Sequence, residues 1–132
     1  MNYLLDTHTF IWAISDRSKL SQPAGKTIDH TDNSIFVSSI SFWEIALKFS
    51  IGKLDINGVL PEALPELTLK TGFELILLSP EDSASYHMLP ITDHKDMFDR
   101  MLVWQAIRRN LTFITKDDRI TQYRSEGLKI LW

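Results

Sequence analysis

The chain contains no cysteine. That absence excludes disulfides, thiolate zinc or iron–sulfur sites and a cysteine nucleophile, so any metal must be held by oxygen or imidazole. Nor is there an apolar run near the roughly 18 residues that would read as a membrane span. The N-terminus, MNYLLDTHTF, has no basic region followed by an apolar one, so no secretory signal is read and a cytoplasmic location is expected. Internal repeats, low-complexity tracts and linkers are missing as well. With 132 residues, 44% of them hydrophobic and 23% charged, the chain has ordinary globular composition, and one soluble domain over residues 1–132 is expected.

The formal charge of -3 is unevenly spread: residues 1–89 carry 6 basic against 11 acidic side chains, and residues 90–132 carry 8 against 6. A net acidic chain is a poor general binder of nucleic acid. The basic tail nevertheless leaves room for a local polyanion site.

Short apolar runs alternate with helical spacing. NYLL reads as a strand ending at Asp6, and THTFIWAISD as a helix with Phe10, Ala13 and Ile14 on one face. SIFVS reads as a second strand, and SSISFWEIALKFSIGKL as a helix stopped by Gly52. Residues 58–72 look helical but interrupted, because Pro65 lacks a backbone donor. FELILL is a strand, and SPEDSASYHML starts a helix at Ser79 with Asp82 three residues past the cap. A helix apolar nearly all round follows over 98–109, then the strand LTFIT, a short helix KDDRITQYRSEG ending at Gly127, and a last strand LKILW. Such alternation predicts a three-layer α/β/α sandwich on a mostly parallel sheet, since parallel neighbours need helical crossovers.

Ligands of open α/β sheets collect beyond the carboxyl ends of the strands. Four acids fall at such turns: Asp6, Glu44, Asp99 and Asp117. Each alone has a plain explanation. Asp6 fits a helix N-cap, SFWE (Ser41 to Glu44) and TKDD (Thr115 to Asp118) fit capping boxes, and acids favour the positive end of a helix dipole. Asp99 resists that explanation, because Leu102, Val103 and Ala106 share its helix face and an ionised carboxylate among them needs a partner. Asp96, one turn earlier, reads as a loop or capping acid. No adjacent lysine or arginine is obliged to neutralise all four acids. A carboxylate cluster of this kind suits Mg²⁺ or Mn²⁺, one ion or two, and the chemistry that follows is phosphodiester hydrolysis by a metal-activated water.

Together, LLDTHTFIWAISD, SSISFWEIALKFSIGKL, HKDMFDRMLVWQA, TFITKDDRI and LKILW resemble the PIN-domain nucleases, and among them the VapC-type toxins of toxin–antitoxin pairs. The stretches span nearly the whole chain in the family's order. The resemblance implies a PIN-like fold, an endoribonuclease acting on RNA, inhibition by a cognate antitoxin protein and a homodimer. It makes Asp6, Glu44, Asp99 and Asp117 the acidic metal site, with Thr115 as a polar neighbour able to hold a water. It favours Asp117 over Asp118 as the fourth acid, while capping geometry gives Asp118 the helix start. Met97 stands where this subfamily usually has proline, and Trp104 where a small residue is common; both imply repacking.

Arg100, Lys116 and Arg119 flank the expected site and could hold phosphates, although solvated charges explain them equally well. His8, His30, His87 and His94 show no pairing that would support an acid–base ribonuclease; His8 lies next to an acid and His94 near two, so either could hydrogen-bond to them, but surface or packing roles explain them more simply and none is given a role. Trp12, Trp43 and Trp104 could stack on bases, but tryptophans at helical spacing more often serve a core or an interface. Two other functions remain in view: a catalytically silent α/β binding module, and a phosphatase-like hydrolase using Asp6 as nucleophile, which would want a second acid where His8 stands.

Overall fold

The alternation resolves, in the computed structural model of residues 1–132, into five parallel strands with helices on both faces. The strands are β1 (Asn2–Leu5), β2 (Ser34–Ser38), β3 (Glu74–Ile76), β4 (Thr112–Ile114) and β5 (Lys129–Leu131), in spatial order β3-β2-β1-β4-β5. The helices are α1 (Thr7–Ser15), α2 (Gln22–Asp29), α3 (Ser39–Ser50), α4 (Leu64–Lys70), α5 (Pro80–Ser85) and α6 (Met97–Arg109), joined by short 3₁₀ turns. Side chains alternate across a strand, so the central β1 feeds two cores. Tyr3 and Leu5 join a cluster of 14 buried residues with α1 and α2, and Leu4 joins one of 13 with α6. This is the three-layer sandwich the sequence predicts. No helix is long and apolar enough to cross a membrane.

Local chemistry explains most element boundaries. Asp6, Ser21, Ser38, Ser79 and Asp96 each cap a helix through a side-chain oxygen. Pro65 falls in the first turn of α4, where its missing N–H leaves no bond unmade. Three sequence expectations are corrected. Helix α2 was not read, although Ser21, whose hydroxyl accepts the Ala24 N–H at 3.1 Å, and a proline in its first turn announce it. The cap of α3 is Ser38 and not Ser41, because the Ser38 hydroxyl accepts the Ile40 N–H, which places Glu44 well inside the helix. The segment Asp118–Glu126 is a 3₁₀ helix capped by Asp117, so Thr115 is not its cap.

The order of the strands decides where a ligand can sit. The chain leaves β1 toward β2 and β3, then returns to add β4 and β5 on the other side. The crevice outside the carboxyl ends of β1 and β4 is therefore the switch point of the sheet. Leu5 pairs in register with Ile114, and the Asp6 N–H donates to the Ile114 carbonyl at 3.1 Å.

Candidate active site

Asp6 follows the last residue of β1, and its two carboxylate oxygens are held separately. Oδ1 accepts the Thr9 N–H at 2.7 Å as the cap of α1, and Oδ2 accepts the Thr115 hydroxyl at 2.5 Å. Burial holds this carboxyl above the usual range, against the pull of those hydrogen bonds. Thr115 in turn accepts the Asp117 N–H at 3.1 Å. Its one proton is committed to Asp6, so this threonine ties the end of β4 to the end of β1 from behind the acids.

Glu44 reaches the same place from α3 and is 2% exposed. Its Oε1 accepts the Thr7 hydroxyl at 2.6 Å, and its Oε2 pairs with Lys48 one turn on. A carboxylate only accepts, so Thr7 gives its one proton to Glu44, and the Ser41 hydroxyl lies 3.0 Å from the same threonine oxygen.

Asp99 enters from the first turn of α6, its N–H donating to Asp96 Oδ1 at 2.9 Å. Its Oδ2 lies 3.2 Å from His94 Nε2. Burial, reinforced by the charges of Asp96 and Glu44, pushes this carboxyl up to about 6. Behind it runs a buried chain of polar contacts: His94 Nδ1 is 2.9 Å from the Tyr123 hydroxyl, which accepts from Arg100 Nη1 at 3.0 Å. An ionised Asp99 needs a donor, which assigns the Nε2–H tautomer to His94 and makes Tyr123 the donor to Nδ1.

Asp117 follows β4, and Arg119 holds its carboxyl below the usual range through Nε at 3.0 Å and Nη2 at 2.8 Å. Donor atoms of His94, Asp99 and Asp117 all lie within 4.8 Å of one another.

Asp6, Glu44, Asp99 and Asp117 border a cleft of about 510 Å³ that also includes Asp96, Lys48, Lys116, Arg119, His8 and Trp12. The structure thus brings Asp6, Glu44, Asp99, Asp117 and Asp96 to one cleft. It leaves Asp118 exposed outside it, and Thr115 behind its wall. Arg100 is not brought there. It is 6% exposed, and its guanidinium donates to the Tyr86 and Tyr123 hydroxyls and to the Leu89 and Pro90 carbonyls. The expectation that no cation need neutralise the acids is also narrowed, since Glu44 and Asp117 have Lys48 and Arg119 as partners. Lys48 was legible as an i,i+4 neighbour of Glu44. A contact of His94 with a nearby acid was open to the reading and is made to Asp99, but the role of Tyr123 was not, because its pairing with His94 joins residues 29 apart in the chain.

An all-oxygen donor set with one imidazole beside it, four carboxylates in one crevice and an Asp99 carboxyl raised by its acidic neighbours together fit a hard divalent cation.

Comparison with known proteins follows the same direction. A family model described as the PIN domain matches residues 3–126. The chain is 26% identical over 133 residues to Ribonuclease VapC22 of Mycobacterium tuberculosis, covering 98% of this chain and 97% of that protein. Among solved structures, VapBC2 of Rickettsia felis bound to a DNA fragment from its promoter superposes with a TM-score of 0.69 at 20% identity, over 99% of this chain and 98% of the other. FitAcB of Neisseria gonorrhoeae does so with a TM-score of 0.62 at 18% identity, over 100% and 97%.

Proposed function

Because the chain belongs to the PIN-domain family, we propose that it is a metal-dependent endoribonuclease that serves as the toxin of a toxin–antitoxin pair. The observation that carries this reading is the convergence of four carboxylates, from β1, α3, α6 and the end of β4, on a single cleft. Asp6, Glu44, Asp99 and Asp117 would hold Mg²⁺ or Mn²⁺. When bound, such an ion supplies acidity to a water molecule and positive charge to the phosphodiester.

The chain's own residues do the positioning. Thr115 fixes Asp6, Thr7 fixes Glu44, and the Nε2–H of His94 fixes Asp99, so each carboxylate presents a constrained oxygen. Lys116, exposed at the cleft, is placed to hold a phosphate without reading sequence. Water attacks phosphorus, the P–O3′ bond breaks, and the departing oxygen takes a proton. A cognate antitoxin protein, a homodimeric assembly and a cytoplasmic location complete the proposal; the name Ribonuclease VapC22 supports its nuclease part, and a structural neighbour described as a toxin–antitoxin complex from Klebsiella pneumoniae its partner. The phosphatase-like alternative loses ground, since both oxygens of Asp6 are engaged by Thr9 and Thr115.

The products decide the matter. RNA cut in the presence of Mg²⁺ or Mn²⁺ is expected to carry 5′-phosphate and 3′-hydroxyl ends, because water and not the RNA's 2′-hydroxyl is the nucleophile. End-group analysis showing 2′,3′-cyclic phosphates would move the mechanism to His8 and His94. Metal binding without any cleavage would favour a silent binding module.

A further inference from the structure

The cleft has a single apolar wall. Of the ten residues that line it one is hydrophobic, Trp12, and the others are charged or histidine. A large indole bordering a polar, acid-rich crevice leaves apolar surface facing water, so its presence there calls for a reason.

The surroundings of the indole supply one. The ring of Trp132 supports it at a centroid distance of 6.0 Å and 59°, and that of His8, one helical turn before it on α1, lies 5.9 Å away at 43°. The Lys116 ammonium stands 5.9 Å from the centre of its ring. A flat aromatic surface held by neighbours, with a cation beside it and four carboxylates lining the same cleft, matches the parts of a nucleotide: a planar base, an anionic phosphate and a bond to be cut. The remaining tryptophans have other employment. Trp104 is buried and donates its indole N–H to Ser85 at 3.0 Å, and Trp43 packs edge-on against Phe98 outside this cleft.

We infer that Trp12 is the platform on which a nucleobase next to the scissile phosphate stacks, with Lys116 moving from the ring to that nucleotide's phosphate. This rests on the nuclease reading and sharpens its substrate class. A base can reach Trp12 only when it is splayed out of a helix, so the substrate is a single-stranded loop or end and not a duplex. Every base has a π-face, so the platform tolerates any sequence, and it contributes affinity more than rate.

The test needs two probes of equal charge: octa-adenylate RNA, and an abasic ribose-phosphate octamer. Binding is measured with Ca²⁺ in place of Mg²⁺ to slow hydrolysis. The wild-type protein is expected to bind the adenylate at least about tenfold more tightly than the abasic strand. Trp12→Leu is expected to bind both alike, at the abasic affinity, and Trp12→Phe to restore a clear preference for bases. Kinetics on single-stranded RNA should show the Leu variant losing mostly in KM, with kcat within about threefold. A wild type without base preference, or a Leu variant that keeps it, overturns the inference, and the wild-type and Phe measurements decide it even if Trp12→Leu does not fold. If the wild type cleaves RNA yet binds both probes equally, only this inference fails. If it neither binds nor cleaves, the nuclease reading falls with it.

Discussion

At the scale of single residues, the candidate site is a collection of carboxylates held in unfavourable company. Asp6 and Asp99 both have carboxyls raised by burial, which means the metal-free fold binds their protons more tightly than the unfolded chain does. Their contribution to stability therefore falls as pH rises above the unfolded value of 3.8, and for Asp99 the fall continues through about 6. Asp99→Asn removes one such charge, so the metal-free variant should melt at or above the wild type near pH 7 and show a flatter pH dependence between 4 and 6. Its RNA cleavage should collapse, and the gain in melting temperature on adding Mg²⁺ or Mn²⁺ should largely vanish. A variant that melts far below wild type without metal, or cuts RNA normally, would reduce Asp99 to a structural acid.

Thr115 gives the opposite sign. Thr115→Val deletes the donor to Asp6 Oδ2 and leaves a buried carboxylate short of a hydrogen bond, at a cost of roughly 1.5–3 kcal/mol. Thr115→Ser should recover most of it in urea unfolding. Residues of this kind mark the limit of what the sequence discloses. The acids were legible because strand-to-helix turns collect ligands. The hydroxyls that aim them were less so, since Thr7, Ser41 and Tyr123 reach the site only through contacts distant in the chain. Arg100 shows the converse: beside Asp99 in sequence it resembles a substrate cation, yet it sits one position round the helix and turns into the tyrosine-lined interior.

At the scale of elements, helix α6 carries Asp99 and must be fixed in space. Asp96 caps its start, and Asn110, in the left-handed region at φ 54°, closes its end. Between them Gln105 accepts the Ser38 hydroxyl at 2.6 Å and donates to the Leu77 carbonyl, joining α6 to the carboxyl end of β2 and the segment after β3. Asp82 of α5 completes the anchor. Burial opposes its charge, but Arg109, Gln105 and Arg108 donate to it and hold its carboxyl at about 2. The stabilisation is therefore complete above the unfolded value of 3.8 and is lost as pH falls through about 2. Asp82→Asn should cost on the order of 2 kcal/mol at neutral pH and little at pH 2, read as a narrowing gap between two thermal melts. An equal gap at both values would mean that the carboxylate charge contributes nothing. Strong apolar periodicity made α6 and α3 readable, whereas the polar α2 passed unread and the Ser41–Glu44 capping pattern lost to Ser38, which sits at the strand end where the turn is made.

At the scale of the whole molecule, alternation of strands and helices sufficed to foresee a parallel sandwich, because few chain paths satisfy it. It did not foresee which strand lies in the middle. That depends on how the two cores divide the side chains of β1, with Leu4 on one face and Tyr3 and Leu5 on the other, a choice made by every layer at once. Nor did it foresee the surface, where Trp43, 55% exposed, Leu47, 44%, and Ile51, 57%, leave an apolar border on and after α3 that a polar-out helix would lack.

The central place of β1 has a consequence in time. Strand β1 is synthesised before either of the strands that flank it, β2 on one side and β4 on the other, and Asp6 meets Thr115 across 109 residues of chain. At about 5–20 residues per second, roughly 5–20 s of synthesis separate the first acid from the last. Throughout that interval Asp6 lacks its neighbour and the crevice has no second wall. On the nuclease reading, each copy of the chain is therefore inert while it is still being made, since its acids cannot converge before α6 and β4 exist.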